Sequence, residues 1–315
     1  MEIIYVNENT LSQAPCVATI GFFDGVHRGH RFLIDGLVAA SKRERLSSMV
    51  ITFDEHPRKV LNSDFQPELL TSLSSKLTLL SKTGIDAVAV LHFDRELAAL
   101  SAHDFMERVL KEQLHVRKLY IGYDHRFGHG RTETFEDYVR YGRELDIEVV
   151  RNQAFILNGV NLSSSVVRKL LREGEVEMAT QCLGYPFTLI GKVTTGCKVG
   201  RSLGYPTANL DTSQFGQLIP APGVYAVKVR LQNQVSFLYG MMNIGSRPTF
   251  GGESQSLEVH IFHFEGDLYD KEIMVSFFHR IRSERKFPSS EALARQLEVD
   301  AQTVIEQFEK DIENE

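Results

Sequence analysis

The sequence predicts an α/β domain with a doubly wound parallel sheet, followed by an antiparallel β-barrel with a terminal helix. In the first half, short apolar runs alternate with helical stretches. In the second half, Gly and Pro turns separate the apolar runs, and no long helical pattern lies between them. The length of 315 residues also favours two domains. We place them at residues 1–184 and 185–315.

Composition and charge limit the class of protein. Hydrophobic residues make up 43% of the chain and charged residues 24%, which is ordinary for a globular protein with a buried core. The formal net charge of −6 argues against a broad attraction to nucleic acid or to an anionic membrane. We therefore expect small-molecule partners, no nucleic acid and no membrane, with the oligomeric state left open.

Cysteine usage and the N-terminus predict a cytoplasmic location. Cys16, Cys182 and Cys197 are far apart and form no CxxC pair, which is typical of reduced thiols. Residues 1–15 lack the basic start and apolar core of a signal peptide. No apolar run reaches the ~18 residues that span a bilayer.

The first half predicts five parallel strands. The candidate strands are residues 16–22, 49–53, 87–91, 118–121 and 147–150. Helical stretches such as 29–45 separate them, which indicates a sheet covered on both faces. Segments with His, Asp and Arg follow four of the strands, at the edge where open α/β sheets bind ligands. We predict a polar cleft there; the alternative is that loops are polar in any protein.

The second half predicts a barrel of short strands. The candidate strands are residues 187–193, 224–231, 235–242, 257–264 and 273–281. A terminal helix is predicted over 289–312, and another helix over 164–179 ends the first domain.

Two histidines mark the first candidate site. In GFFDGVHRGH an apolar strand turns into a helix near Gly29, which places His27 and His30 on one side of the helix start. Backbone N–H groups there favour an anion, and two imidazoles can donate hydrogen bonds to a phosphate that gains charge. One alternative is a capping histidine and a core histidine. Another is zinc, for which no third ligand is evident at a suitable spacing.

The segment LSSSVVRKLL offers a second part of this cleft. Serines before an amphipathic helix can cap it, and we expect at least one to do so. Arg168 lies one turn inside the helix and can instead reach a triphosphate. No P-loop motif, GxxxxGK[ST], occurs in the chain.

The second candidate site begins with a glycine loop. In GCKVGRSLGYPTANL, Gly196 and Gly200 permit close approach of the backbone to a ligand. Thr207 and Asn209 follow with side-chain oxygens that suit Mg²⁺. On composition alone, a structural turn is an equally good interpretation.

Glu258 strengthens this second site. In LEVHIFHF, Leu257, Val259 and Ile261 alternate onto one face, which places Glu258 and His260 on the other. A carboxylate that faces Mg-ATP can accept the proton of an attacking hydroxyl, as a kinase base does. The alternative is a solvent-facing position on a strand.

These motifs together resemble one enzyme family. VHRGH matches the HxGH signature of nucleotidyltransferases, which move AMP or CMP and release pyrophosphate. The whole chain resembles the bacterial bifunctional riboflavin kinase/FAD synthetase family, through LSSSVVR, FDEHPRKVL, IGYDHRFGHGR, GRSLGYPTANL, GVYAV, MNIGSRPTFGG, LEVHIF, GDLYDKEI and IRSERKF. Glu55 and His125 stand where that family usually has Pro and Phe. The resemblance implies an HxGH nucleotidyltransferase-like domain and a riboflavin kinase-like barrel.

The resemblance also implies a role for each motif. The catalytic residues would be His27, His30 and Glu258, and the Mg²⁺ ligands Thr207 and Asn209. The flavin contacts would include His56, Asp124 and Arg126. The ATP contacts would be Gly21, Phe22, Asp24, Ser163, Ser164, Ser165, Arg168, Gly196, Lys198, Gly200 and Arg201.

Two activities follow from these assignments. The barrel would phosphorylate riboflavin with ATP, and the first domain would transfer AMP from a second ATP to FMN, giving FAD and pyrophosphate. One alternative is a single-activity adenylyltransferase whose barrel only binds flavin or docks a partner, which the intact PTAN segment and Glu258 disfavour. Another is a flavin-responsive regulator without turnover, which we would expect to lack His27 or His30.

Overall fold

The chain folds into a parallel α/β unit followed by a closed antiparallel barrel, which confirms the predicted fold class. The two units are Met1–Ser164 and Ser165–Glu315. The computed structural model describes residues 1–11, 14–62, 64–123, 125–157, 159–196, 199–211, 216–232, 234–249 and 252–313. None of the described helices combines the length and the apolar composition that crossing a bilayer requires.

All six strands of the first sheet run parallel, in the order β1-β4-β3-β2-β5-β6. They are β1 Glu2–Val6, β2 Cys16–Ile20, β3 Ser47–Phe53, β4 Ala87–Leu91, β5 Val116–Ile121 and β6 Glu148–Arg151. The edge strand β1 is an addition to the five predicted strands. Its Ile3 and Tyr5 are 43% and 63% exposed, so it does not resemble the continuous apolar runs of the buried strands.

Helices cover both faces of this sheet. They are α1 Arg28–Glu44, α2 Pro57–Leu61, α3 Leu73–Ser81, α4 Arg95–Ala99, α5 Ala102–Asp104, which continues as a π-helix over Phe105–Gln113, and α6 Phe135–Leu145. Neighbouring strand residues belong to different buried clusters, with Ala18 and Met49 in one and Val17 and Val50 in the other. A small hairpin of β7 Ile156–Leu157 and β8 Val160–Asn161 follows the sheet.

The strand order reverses at β2. β3 and β4 lie on one side of β2, whereas β5 and β6 lie on the other. In open α/β sheets such a switch point leaves a crevice at the carboxyl ends of the strands. The segment with His27 and His30 follows β2, and the segment with Arg126 follows β5, so both begin at this crevice.

Six antiparallel strands close the barrel in the order β10-β13-β12-β11-β14-β9. They are β9 Thr188–Thr194, β10 Ala208–Leu210, β11 Gly223–Leu231, β12 Leu238–Thr249, β13 Gly252–Ile261 and β14 Glu272–Ser283. β12 and β13 differ from the predicted spans 235–242 and 257–264, because their hairpin extends the pairing to Thr249 and Gly252. β10 was not predicted, since its three residues are too few to show alternation.

The predicted helix over 164–179 is two helices. They are α7 Ser164–Glu173 and α8 Val176–Leu183. Gly174 lies between them with a φ of 81°. This left-handed conformation, which suits glycine, ends α7.

The predicted terminal helix is confirmed as α10 Ser290–Glu313. Its Val304 and Phe308 belong to a buried cluster with Val224 and Met241 of the barrel. One face of α10 therefore packs on the barrel wall.

Candidate active sites

The segment between β2 and α1 has an unusual backbone. Phe23, Gly25 and Val26 have positive φ values of 53°, 77° and 35°. Such values suit glycine but cost about 1–3 kcal/mol at a β-branched residue such as valine. A Cβ on Gly21, just before the segment, would lie 3.1 Å from the Phe23 ring. Strain of this kind persists only where the surroundings hold it, and it is typical of functional sites.

Asp24 holds this segment in place. Its carboxylate accepts hydrogen bonds from the N–H groups of Leu70 and Thr71, each at 3.0 Å. The N–H of Gly25 donates to the Thr71 hydroxyl at 3.1 Å, and Ser164 Oγ donates to the Asp24 carbonyl at 2.9 Å. Asp24 is 3% exposed. Of the predicted ATP contacts, Asp24 and Ser164 are thus brought together, and the Asp24 carboxylate shapes the loop.

His27 and His30 stack at the start of α1. Their ring centroids are 3.6 Å apart, with 17° between the ring planes. His27 is the N-cap of α1, and its Nδ1 accepts the backbone N–H of His30 at 3.3 Å. This bond places the proton of a neutral His27 ring on Nε2. His27 is 3% exposed and His30 is half-buried.

The surroundings of His30 favour an anion. Burial lowers the pKa of His30 well below its ordinary value of 6.5, and positive charge on His27, His125 or Lys76 lowers it further. Nδ1 of His30 is buried and has no hydrogen-bond partner among the residues that the structure describes. A phosphate brought to these groups would find several cationic or donor groups already in place.

Lys76 of α3 is buried beside the same loop. Its Nζ donates to the carbonyl oxygens of Phe22 and Phe53 and to Thr52 Oγ1, each at 3.0 Å. Burial lowers the pKa of Lys76 to about 8, although two nearby carboxylates oppose this. Lys76 therefore joins the carboxyl ends of β2 and β3.

The predicted flavin contacts follow β3 and β5. His56 is the N-cap of α2, and its Nδ1 accepts the N–H of Arg58 at 3.2 Å. Its ring stands edge-on to the ring of Phe22, with centroids 4.8 Å apart. Arg126 is exposed, and Asp124 lies outside the described residues.

A carboxylate–histidine pair lies at the same edge of the sheet. Asp54 directly follows β3, and its Oδ2 is 2.7 Å from Nδ1 of His92, which follows β4. Burial opposes ionisation of Asp54, but hydrogen bonds from His92 and from the N–H of Phe93 hold its pKa below the usual value. The same bond raises the pKa of His92. The polar strand ends of the sequence indicated this edge, although they did not predict the pair.

The remaining predicted residues of this segment lie at the start of α7. Ser163 precedes the helix and is half-buried. Ser165 and Arg168 lie on the part of α7 that belongs to the second unit.

Three polar residues form a row across the barrel. Asn209 of β10 pairs in register with Glu258 of β13, which pairs in turn with Asn243 of β12. Paired residues of antiparallel strands project from the same face. Thr207 Oγ1 donates to the Glu258 carboxylate at 3.4 Å.

Two cavities of the barrel share Thr207 as a wall. The smaller, of about 270 Å³, contains Glu258 and Asn243. Its apolar and aromatic lining consists of Leu203, Tyr205, Val224, Met241, Phe287, Leu293 and Leu297. The larger, of about 460 Å³, is lined by Arg201, Pro206, Thr207 and residues 264–269. Glu258 thus lines a cavity whose wall combines these apolar and aromatic side chains with the charged side chains of Arg282, Glu284 and Arg285.

The glycine loop packs closely on this site. A Cβ at Gly196 would overlap the side-chain amide of Asn209, which is buried. Gly200, in the short helix α9 Val199–Ser202, lines the smaller cavity. Lys198 lies outside the described residues.

His260 supports the segment before Thr207. Its Nδ1 is 2.8 Å from the carbonyl oxygen of Pro206, so this nitrogen carries a proton. Burial lowers the pKa of His260, whereas the hydrogen bond to Pro206 opposes this. His260 also lines the smaller cavity.

An ion pair links α10 to the smaller cavity. Arg282 lines this cavity and donates to the carboxylate of Asp300 through Nε at 2.9 Å and Nη2 at 2.8 Å. Gln296 Nε2 donates to the same carboxylate at 2.7 Å, and Asp300 is 1% exposed. The helix that supplies Leu293 and Leu297 to the cavity is thereby fixed to β14.

Sequence reasoning missed Lys76, Asn243 and Arg282. For Lys76 a signal was present, because it shares a helical face with Leu73 and Leu80, at spacings of three and four. A lysine on an apolar face indicates a buried amine. No comparable pattern distinguishes Asn243 or Arg282 from other polar residues on strands.

Both halves of the chain match known families. The model described as FAD synthetase matches residues 9–166, and the model described as riboflavin kinase matches residues 183–308. These two matches are adjacent and together cover most of the chain.

Relatives match along nearly their whole length. A protein of Escherichia coli (strain K12) named bifunctional riboflavin kinase/FMN adenylyltransferase is 40% identical over 303 residues, which cover 95% of this chain and 96% of the relative. A protein of the same name from Haemophilus influenzae is 38% identical, covering 94% of this chain and 95% of the relative. A third, from Pseudomonas fluorescens, is 37% identical, covering 90% of each.

A solved structure has the same overall fold. It is described as a macrolide-efflux protein from Streptococcus pneumoniae, and its TM-score is 0.87 at 30% identity, covering 96% of this chain and 99% of that one. Its description differs from the names of the other relatives, and what this likeness establishes is the fold. The family models and the relatives agree with each other across both halves. The chain belongs to the bifunctional riboflavin kinase/FMN adenylyltransferase family.

Proposed function

We propose that this protein catalyses two consecutive steps of FAD formation. The barrel phosphorylates riboflavin with ATP, and the α/β unit transfers AMP from a second ATP to FMN. The observation that supports this most strongly is that each unit has the functional groups that one of the two reactions requires. The barrel has a carboxylate in the wall of a cavity with several apolar and aromatic lining residues, and the α/β unit has two stacked imidazoles at a helix start.

In the kinase step, we assign the flavin to the smaller cavity and ATP to the larger one. The aromatic and aliphatic part of the smaller cavity's lining suits a flat ring system. The larger cavity lies on the other side of Thr207, a predicted Mg²⁺ ligand, and includes Arg201, a predicted ATP contact. Glu258 accepts the proton of the ribityl 5′-hydroxyl. The hydroxyl oxygen bonds to the γ-phosphorus, the bond to the β–γ bridging oxygen breaks, and ADP leaves.

Thr207 and Asn209 fit a magnesium ion. Both carry hard oxygen donors, and both lie beside Glu258, Thr207 through a hydrogen bond and Asn209 through the strand register. The close packing of Gly196 on the Asn209 amide restricts where that amide can point. When bound, the ion supplies positive charge that offsets the charge of the β- and γ-phosphates.

In the adenylyl transfer, an oxygen of the FMN phosphate attacks the α-phosphorus of ATP. The bond to the α–β bridging oxygen breaks, and pyrophosphate leaves. The phosphate is already ionised, so this step needs no strong base. His27 and His30 hold donors where charge builds up on the α-phosphate, and the Nδ1 cap of His27 directs Nε2–H toward this role.

Further assignments complete the proposal. His56, Asp124 and Arg126 are predicted to contact the flavin. The remaining predicted ATP contacts are Gly21, Phe22, Ser163, Ser165, Arg168, Lys198 and Gly200. We keep the domain boundary at residue 184, next to residue 183 where the riboflavin kinase match begins. Cys16 and Cys182 are buried and form no disulfide within the described part of the chain, which supports a cytoplasmic location.

The test is to incubate the protein with riboflavin, ATP and Mg²⁺ and to resolve the flavins by chromatography. We expect FMN to appear first and FAD to follow. FAD formed only from supplied FMN would support a single-activity adenylyltransferase with a flavin-binding barrel. Absence of both products would support the flavin-responsive regulator.

Variants separate the two steps. Glu258→Ala should abolish FMN formation and still convert supplied FMN to FAD. The double variant His27→Ala, His30→Ala should form FMN and stop there. Loss of both activities in either variant would contradict the assignment of one site to each unit.

A further inference from the structure

Lys76 is buried, which is rare for a lysine. Among the described residues it is the only buried lysine or arginine, at 2% exposed. Lysines are almost never buried unless their charge is compensated. Here the compensation comes from the carbonyls of Phe22 and Phe53, from Thr52 Oγ1, and from the ring of Phe22, whose centroid lies 4.2 Å from Nζ.

Two of these partners are backbone groups at the carboxyl ends of β2 and β3. Phe22 follows β2 and directly precedes the strained residue Phe23. Thr52 Oγ1 also donates to the Phe22 carbonyl at 3.1 Å, so this one carbonyl accepts two side-chain donors. The start of the loop that carries His27 and His30 is therefore tied to the neighbouring strand.

The other support of the loop comes from the same part of the chain. Leu70 and Thr71, which precede α3, hold the Asp24 carboxylate and the Gly25 N–H. Lys76 lies on α3, so one short region holds the loop on both sides of Phe23. A loop with φ values of 53° and 35° at Phe23 and Val26 needs such support to keep its shape.

We infer that Lys76 is a positioning residue for adenylyl transfer, which holds the Phe22 carbonyl and so keeps His27 and His30 in the geometry that the reaction requires. This inference rests on the proposed function of the α/β unit. Lys76 acts through the backbone, because its ammonium group is buried and already has three hydrogen-bond acceptors.

The test is Lys76→Met, which keeps the length of the side chain and removes its donors. A displacement of the histidines on the scale of 1 Å should lower kcat for FAD formation about 10- to 100-fold. The KM for ATP should change less than threefold, because the histidines act mainly on the charge that develops in the transition state. FMN formation by the barrel of the same chain should stay at the wild-type rate.

A matched control is Lys118→Met. Lys118 is also largely covered, and it forms ion pairs with Glu44 at 2.7 Å and Glu148 at 3.0 Å. Its loss should lower stability and leave kcat for FAD formation unchanged. If Lys76→Met behaves in the same way, Lys76 is only structural and the inference is overturned.

Thr52→Val provides a second variant if Lys76→Met does not fold. It removes one donor to the Phe22 carbonyl and should lower kcat in the same direction, by less than Lys76→Met. The two changes combined should be non-additive in kcat, because they act on one carbonyl. Additive effects, or a Thr52→Val enzyme with wild-type kcat, would overturn the inference.

The same assays distinguish a failure of this inference from a failure of the proposed function. If the wild-type protein forms no FAD from FMN, the proposed function itself fails. If the wild-type protein forms FAD and Lys76→Met is equally fast, only this inference fails.

Discussion

The two sites differ in how their reactive groups are held. In the barrel, Glu258 lies on a regular strand and its neighbours Asn209 and Asn243 come from the strand register. In the α/β unit, His27 and His30 follow a strained loop that distant residues hold in shape. The proposed base of the barrel is therefore positioned by regular strand pairing, whereas the two histidines follow a strained loop that depends on distant contacts for its shape.

The largest expected effect concerns Glu258, the proposed base of the barrel. Glu258→Gln keeps the shape of the side chain and removes its ability to accept a proton, so the rate of FMN formation should fall about 10²- to 10⁴-fold. Conversion of supplied FMN to FAD should not change. Glu272→Gln, at an exposed position of β14, is the matched control. If Glu258→Gln forms FMN at a rate within threefold of wild type, Glu258 is not the base and the barrel site does not depend on this carboxylate.

The next prediction tests whether the packing of α10 stabilises the barrel and its smaller cavity. Asp300→Asn leaves Arg282 without its buried partner, which should cost about 3–5 kcal/mol of stability. Hydrogen exchange of peptides from 272–313 measures this, and the KM for riboflavin should rise because Leu293 and Leu297 line the cavity. Asp311→Asn, at 34% side-chain exposure in a pair with His279, should have a smaller effect. Equal effects would show that the burial of Asp300 is unimportant.

A pH profile distinguishes the two sites through Lys76. Burial lowers the pKa of Lys76 to about 8, although the carboxylates of Asp24 and Asp54, which follow β2 and β3, act to raise it. The charge of Lys76 in turn lowers the pKa of His30 of α1. As the pH rises through the pKa of Lys76, this lysine loses the charge that holds the loop. The kcat/KM for FAD formation should then fall and level off about 10- to 100-fold lower, the loss expected for Lys76→Met.

This alkaline limb should be absent in Lys76→Met, which has no group to titrate. FMN formation in the same samples should lack it as well. A limb that persists in Lys76→Met would assign it to another group.

The smallest expected effect is on stability in acid. The folded-state pKa of His30 is lowered below 6.5, so below pH 6.5 the unfolded chain binds more protons than the folded one. Stability is therefore lost as the pH falls through this range, at about 1.4 kcal/mol per pH unit for one proton. Hydrogen exchange of peptides from 16–44 at pH 5.5 and pH 7.5 measures this change.

His30→Gln should reduce that dependence on pH in the α/β unit. The barrel peptides of the same samples serve as the internal reference. An unchanged pH dependence in His30→Gln would mean that the burial of this imidazole does not govern the acid response.

The sequence was most informative where the pattern is local. Apolar runs predicted the strands β2 to β6, of which β6 is only partly buried. Strict alternation placed Glu258 on the opposite face of its strand from Leu257 and Val259. The half-exposed β1 and the three-residue β10 lack such a pattern. The break at Gly174 was missed because glycine alone does not show where a helix ends.

The candidate sites were predicted in part, and the missing part depends on distant contacts. His27 and His30 lie three residues apart, so their proximity follows from helical spacing. Lys76 reaches partners that are 54, 24 and 23 positions away in the sequence. Whether a lysine on an apolar helix face finds acceptors is decided by the packing of the sheet, which a single sequence does not reveal.

The support of the loop has a consequence for transplanting this motif. Residues 21–30 obtain their shape from Asp24 contacts to Leu70 and Thr71 and from the amine of Lys76. Grafted alone onto another parallel sheet, the decapeptide would be expected to relax to ordinary backbone angles and to separate its two imidazoles from a bound nucleotide. A useful graft would have to include residues 70–76 as a second segment, so the transferable unit is discontinuous in the chain.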